Sequence, residues 1–89
     1  MKASSRRNKT SARISSPEQA FGRVLRKARE EKAVSQEALA YIGGFHRTYI
    51  GQLERGEKSP SLRTIFALAG SLDVTPSNLL KEVEVLLPR

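Results

Sequence analysis

An all-α fold is what this sequence predicts, on three observations. Apolar residues recur at helical spacing from Ala20 to Val83. Cap-and-proline signals open segments at Ser16-Pro17 and Thr75-Pro76, and glycine stops close others at Gly43-Gly44 and Gly56. The body of the chain has no run that alternates apolar and polar residues as a half-buried strand would. Five short helices are the economical account.

The first helix starts at Ser16-Pro17-Glu18-Gln19, which combines an N-cap serine, proline at the first helical position and glutamine three residues after the cap. Ala20, Phe21, Val24, Leu25 and Ala28 then form one apolar stripe, and the helix is expected to end near Lys32. A second helix follows the cap candidate Ser35, with Glu37 suiting the positive end of its dipole. Ala38, Leu39 and Ile42 are expected to face inward, and Gly43-Gly44 supplies the turn. The third helix runs from about His46 to Arg55, with Phe45, Ile50 and Leu53 spaced to bury against the second. The fourth follows Ser59-Pro60-Ser61 and carries a wide apolar face of Leu62, Ile65, Phe66, Leu68, Ala69 and Leu72. The fifth opens at Thr75-Pro76 and continues through Leu79, Leu80 and Val83.

With 89 residues the chain is expected to form one domain with a small core that pairing with a second copy would help. It has no cysteine, hence no disulfide framework and no thiolate metal site. No apolar run approaches the ~20 residues that span a bilayer, and the basic start lacks the apolar stretch of a secretory signal. A soluble, cytoplasmic protein without a membrane partner is the expectation. The formal net charge is +7, and residues 1–16 hold Lys2, Arg6, Arg7, Lys9 and Arg13 with no acid. The rest of the chain is far less basic, so a polyanionic partner must be argued from geometry rather than from charge alone.

Three parts are expected: a flexible basic arm over 1–16, a helical domain over 17–84 and a C-terminal tail over 85–89. The arm holds Ile14 as its only large apolar residue and has too little apolar surface to offset the entropy of ordering. It is either an inert tail or a segment that follows phosphates or enters a minor groove.

Two helices joined by a tight glycine turn, here residues 35–54, form a helix-turn-helix. If Phe45, Ile50 and Leu53 point inward, Arg47, Thr48, Gly51 and Gln52 share the outer face of the third helix. Their chemistry suits base readout: Arg pairs with guanine O6 and N7, Gln with adenine N6 and N7, and Thr offers a hydroxyl and a methyl. Gly51 either allows close approach to DNA or packs against another helix. His46 stands alone, without cysteine or a carboxylate cluster, and fits an N-cap better than a metal ligand.

Residues 18–80 resemble the lambdoid-repressor-like helix-turn-helix family. The resemblance is carried by Phe21-Gly22-Arg23-Val24-Leu25-Arg26-Lys27-Ala28-Arg29, by Ser35-Gln36-Glu37-Ala38-Leu39-Ala40, and by Tyr49-Ile50-Gly51-Gln52-Leu53-Glu54-Arg55-Gly56. Pro60-Ser61-Leu62 and the segment from Leu72 to Leu80 also fit, and His46-Arg47-Thr48-Tyr49-Ile50 is similar to the controller proteins of restriction–modification systems.

The resemblance implies a compact five-helix bundle that binds double-stranded DNA as a homodimer. It places Arg47, Thr48 and Gln52 where relatives contact bases. It gives Gln36 a phosphate at the start of the second helix and sets Tyr49, Arg55 and Lys58 toward the DNA backbone, with His46 beside them at the helix start. It makes Arg29 and Glu54 a structural ion pair. Two departures stand out. Ala33 occupies a turn where the family usually has glycine, which strains alanine if φ is positive there. Tyr41 replaces a usually polar residue and is expected to be partly buried.

A sequence-specific transcriptional regulator on a palindromic operator is therefore the expected function. Leu79, Val83, Val85, Leu86 and Leu87 are the candidate dimer surface, since exposed apolar residues there otherwise lack a role. The alternative is a protein-interaction module of the same fold, an antitoxin or adaptor. One histidine, no cysteine and scattered carboxylates argue against an enzyme, a cofactor or a small-molecule substrate.

Overall fold

The computed structural model describes residues 14–88. Five helices follow in order: α1 Pro17–Glu31, α2 Gln36–Gly43, α3 Arg47–Glu54, α4 Leu62–Ser71 and α5 Pro76–Leu86. Among the described residues there is no strand. The starts are set by side-chain caps: Ser16, Ser35, Ser61 and Thr75 each accept from the backbone N–H three residues on, satisfying a donor the first turn leaves free. Gln19 reaches one residue further back than a capping box requires, accepting from Ser15 N at 3.0 Å and Ser15 Oγ at 3.1 Å. His46 caps α3 by position only, with no side-chain bond.

Four helices end in one backbone pattern. A residue with positive φ follows the helix, and the next N–H returns to a carbonyl five residues back. The residues are Ala33 (φ 62°), Gly44 (76°), Gly56 (76°) and Asp73 (58°). The returning bonds are Val34 N to Arg29 O, Phe45 N to Ala40 O, Glu57 N to Gln52 O and Val74 N to Ala69 O, at 2.8–3.2 Å. They satisfy last-turn carbonyls and fold the chain back on itself. Ala33 thus does occupy a left-handed site that favours glycine.

One core gathers residues from every helix. Leu25, Leu39, Ile50, Leu53, Leu68 and Leu79 are its largest fully buried side chains. α1 packs on α3 and α5, α2 on α3 and α4, and α4 on α5. The recognition candidate α3 is therefore held between α1 and α2.

The core departs from the sequence expectations at several places. Ile14, assigned to the arm on composition, is 8% exposed and joins the core. Ile14 thus belongs with the helical body, and the basic residues of the arm lie outside the described residues. At the other end α5 runs through Leu86, so a boundary at 84 cuts a helix. Ile42, expected inward, Leu62 and Phe66 of the expected apolar face, and Leu80 are exposed because the neighbouring helices cover only part of each apolar arc. Leu79 and Val83, expected at a dimer surface, are buried within the monomer between α5 and its neighbours, which leaves Val85 and Leu86 exposed and Leu87 half-buried against the core.

Candidate nucleic-acid interface

The inner side of α3 fixes its position. Ile50 and Leu53 are completely buried. Phe45 and Tyr49 are half-buried against the core with ring centroids 5.7 Å apart and planes tilted by 40°, an arrangement aromatic pairs favour. Tyr49 therefore has only part of its surface free for a ligand.

Gly22 decides how closely α3 approaches α1. A methyl group added there would lie 2.4 Å from Leu53 O and 2.5 Å from Glu54 O, both backbone atoms. Sequence reasoning quoted Gly22 without giving it a role. Its signal was a glycine in the middle of an otherwise strong helix former, where it costs ~1 kcal/mol relative to alanine.

A buried polar network holds the end of α3. Arg29 donates to Glu54 through Nε at 2.5 Å and Nη2 at 3.0 Å, and its Nη1 donates to Val34 O at 2.9 Å. Gln36 Nε2 donates to Glu54 Oε1 at 3.0 Å. The side chains of Arg29 and Glu54 are 12% and 4% exposed. The hydrogen bond that Arg29 donates to Glu54, partly opposed by burial, raises the Arg29 pKa above its ordinary value. The Glu54 carboxylate thus ties α1 and the first residue of α2 to the last of α3, and Arg29 adds the α1–α2 turn through Val34 O. The ion pair expected from the resemblance is present, and Gln36 belongs to the same network.

On the outer side of α3, Arg47 and Thr48 are exposed and Gln52 is half-buried. Gly51 is buried. Its missing side chain leaves room for Arg55, whose Nη1 would be 3.0 Å from an added methyl. Arg55 Nε donates to Glu57 Oε2 at 2.8 Å and Nη2 to Oε1 at 3.3 Å. That hydrogen bond raises the Arg55 pKa and lowers that of Glu57. His46, just before α3, and Lys58, after it, are exposed.

Tyr41 is 88% exposed at the outer side of α2, not partly buried as expected, because α3 and α4 cover the Leu39–Ala40 side of α2. Among the described residues no three potential metal ligands cluster, and no helix is long and apolar enough to cross a membrane.

A family model described as "Helix-turn-helix" matches residues 25–79, which hold α2, the turn, α3, α4 and much of α1. The chain belongs to this helix-turn-helix family. Among curated relatives, the control protein C.SmaI of Serratia marcescens is 45% identical over 56 residues, covering 63% of this chain and 67% of its own. The control protein C.BamHI of Bacillus amyloliquefaciens is 43% identical over 61 residues, covering 67% and 75%. The solved restriction–modification controller C.AhdI of Aeromonas hydrophila is 44% identical with a TM-score of 0.67, over 68% of this chain and 92% of that one. The controller C.Esp1396I, solved as a tetramer with its natural 35 base-pair operator, is 26% identical with a TM-score of 0.73 over 82% and 96%.

Proposed function

We propose that this protein is a transcriptional regulator of the restriction–modification controller type, binding a palindromic operator as a homodimer. The observation that carries this is the outer side of α3. Arg47, Thr48 and Gln52 stand together on a helix whose inner side is fixed by Gly22, Ile50, Leu53 and the Arg29–Glu54–Gln36 network. A rigid helix with donors of this type on its open side fits the major groove. Support comes from the likeness to C.Esp1396I, solved on its operator.

In this reading Arg47, Thr48 and Gln52 contact base edges, and Gly51 lies in the same row of α3. Gln36, His46, Tyr49 and Lys58 contact phosphates, where basic and hydroxyl groups position the helix without reading sequence. Two copies place their α3 helices in successive major grooves, with half-sites roughly 10 bp apart. Val85, Leu86 and Leu87 contribute to the contact between copies, and exposed Leu62, Phe66 and Leu80 are further candidates. The protein acts in the cytoplasm by binding alone, without catalysis or a small-molecule substrate.

The test is selection of binding sites from a random duplex library by the wild type and by Arg47→Ala in parallel. An enriched imperfect palindrome, relaxed at one position per half-site in the variant, is the expected result. Salt-sensitive binding without an enriched motif would overturn the reading.

A further inference from the structure

We propose that Arg55 reads a guanine edge in the major groove and that Glu57 is its positioning residue. The assignment rests on the DNA-binding reading above and changes the role of Arg55, which the family resemblance set against the backbone. Three features of the structure carry it.

In the structure Arg55 lies side-on to Glu57 in an exposed ion pair. Its Nε and one Nη2 hydrogen are taken by the two oxygens of Glu57, at 2.8 and 3.3 Å. The remaining donors are the two Nη1 hydrogens and one on Nη2, which form the end of the guanidinium fork. That end matches guanine O6 and N7 side by side.

The fork also lies in the right row. Nη1 rests over Gly51, 3.0 Å from where a methyl would stand. Gly51 is four residues after Arg47 and three after Thr48, so it shares their side of α3. The glycine is thus a slot for the Arg55 fork. The fixed turn at Gly56, with φ 76° and Glu57 N bonded to Gln52 O at 2.9 Å, returns Glu57 to the flank of Arg55.

Charge favours a base over a phosphate. An end-on guanidinium could take either. Glu57 places a carboxylate against the guanidinium, which weakens attraction to a phosphate and would repel it. Base readout depends on donor geometry more than on net charge, and holding the fork beforehand lowers the ordering cost of binding.

The test repeats the library selection with Arg55→Lys, Glu57→Gln and Gly51→Ala, and measures affinity against salt for the selected site and a scrambled duplex. Lysine keeps the charge and loses the fork. Arg55→Lys is expected to lose about ten-fold of discrimination at one G·C pair per half-site, with affinity for scrambled DNA unchanged. Glu57→Gln is expected to relax the same pair while raising affinity for scrambled DNA. Gly51→Ala, which favours the helix, is expected to relax that pair too by displacing the fork. Melting curves matching or exceeding that of the wild type show that each variant folds, and where one does not, the other two decide. Equal weakening on every duplex by Arg55→Lys, with all base preferences kept, would make Arg55 a phosphate contact and overturn the proposal. Full retention of the G·C preference in Glu57→Gln would overturn the positioning role. A wild type that selects no motif would instead remove the DNA-binding reading itself.

Discussion

The seam between α1 and α3 and the outer surface of α4 and α5 are built to opposite standards. At the seam, two backbones meet with no space for a methyl at Gly22, and a carboxylate only 4% exposed is shared by Arg29 and Gln36. On the outer surface, Leu62, Phe66, Leu80 and Val85 stand in water with between 41% and 76% of their area exposed. This small core concentrates its packing at the seam. It holds the helix that carries Arg47, Thr48 and Gln52, and leaves apolar area uncovered on the far elements. Substitutions should therefore be costly for the monomer at the seam and cheap on the outer surface.

The largest effect is expected from Glu54→Ala. It leaves the Arg29 guanidinium buried without its partner and removes the acceptor for Gln36, so stability should fall by about 4 kcal/mol. Chemical denaturation that shows less than about 1 kcal/mol would mean that the network behaves as a surface pair. Gly22→Ala follows. Its methyl meets backbone carbonyls that cannot turn aside, and overpacking of this kind costs about 3 kcal/mol, outweighing the helix propensity gained. A melting temperature equal to that of the wild type would show that the seam yields, and the contrast with the outer surface would then be lost.

A smaller change of opposite sign is expected at the end of α1. Ala33 holds φ at 62°, and an L-residue with a side chain is disfavoured there by roughly 1–2 kcal/mol. Ala33→Gly should stabilise the protein by about 0.5–1 kcal/mol, after allowing for the greater chain entropy of glycine. Asp73→Gly at the matching end of α4 should gain less or lose. Aspartate tolerates the left-handed region better, and its carboxylate accepts a hydrogen bond from Lys32 Nζ. Parallel thermal melts of the two variants compare the sites directly.

The smallest effect on the monomer is expected from Phe66→Ser and Val85→Ser, whose side chains are 58% and 76% exposed. Surface changes of this kind usually stay within about 0.5 kcal/mol. If these side chains join two copies, sedimentation should show weaker self-association while the monomer's denaturation curve is unchanged. Loss of monomer stability would assign them to the fold instead.

The helices were legible in the sequence because their signals are local. Ser16, Ser35, Ser61 and Thr75 each bond a nearby backbone N–H, and Gly44 and Gly56 supply the conformations at which α2 and α3 stop. The outer side of α3 followed from spacing once Ile50 and Leu53 were placed inward. Gln36 and the Arg29–Glu54 pair became legible only through a family resemblance, since 25 residues separate the two charges in the chain.

Caps, turns and period act within a few residues, so the chain alone sets the number of helices, their starts, the stops of α2 and α3 and the side of α3 that faces outward. The family resemblance raised a positive φ at Ala33 only as a condition, and the structure supplies it. Only the tertiary structure decided which part of each apolar arc is covered. It drew Ile14, Leu79 and Val83 into the core and left Tyr41, Ile42, Leu62 and Phe66 outside. It gave Gly22 its purpose and set Arg55 between Gly51 and Glu57. The reason is geometric: period names a face of a helix, but the width of that face which another helix covers depends on where distant segments cross it.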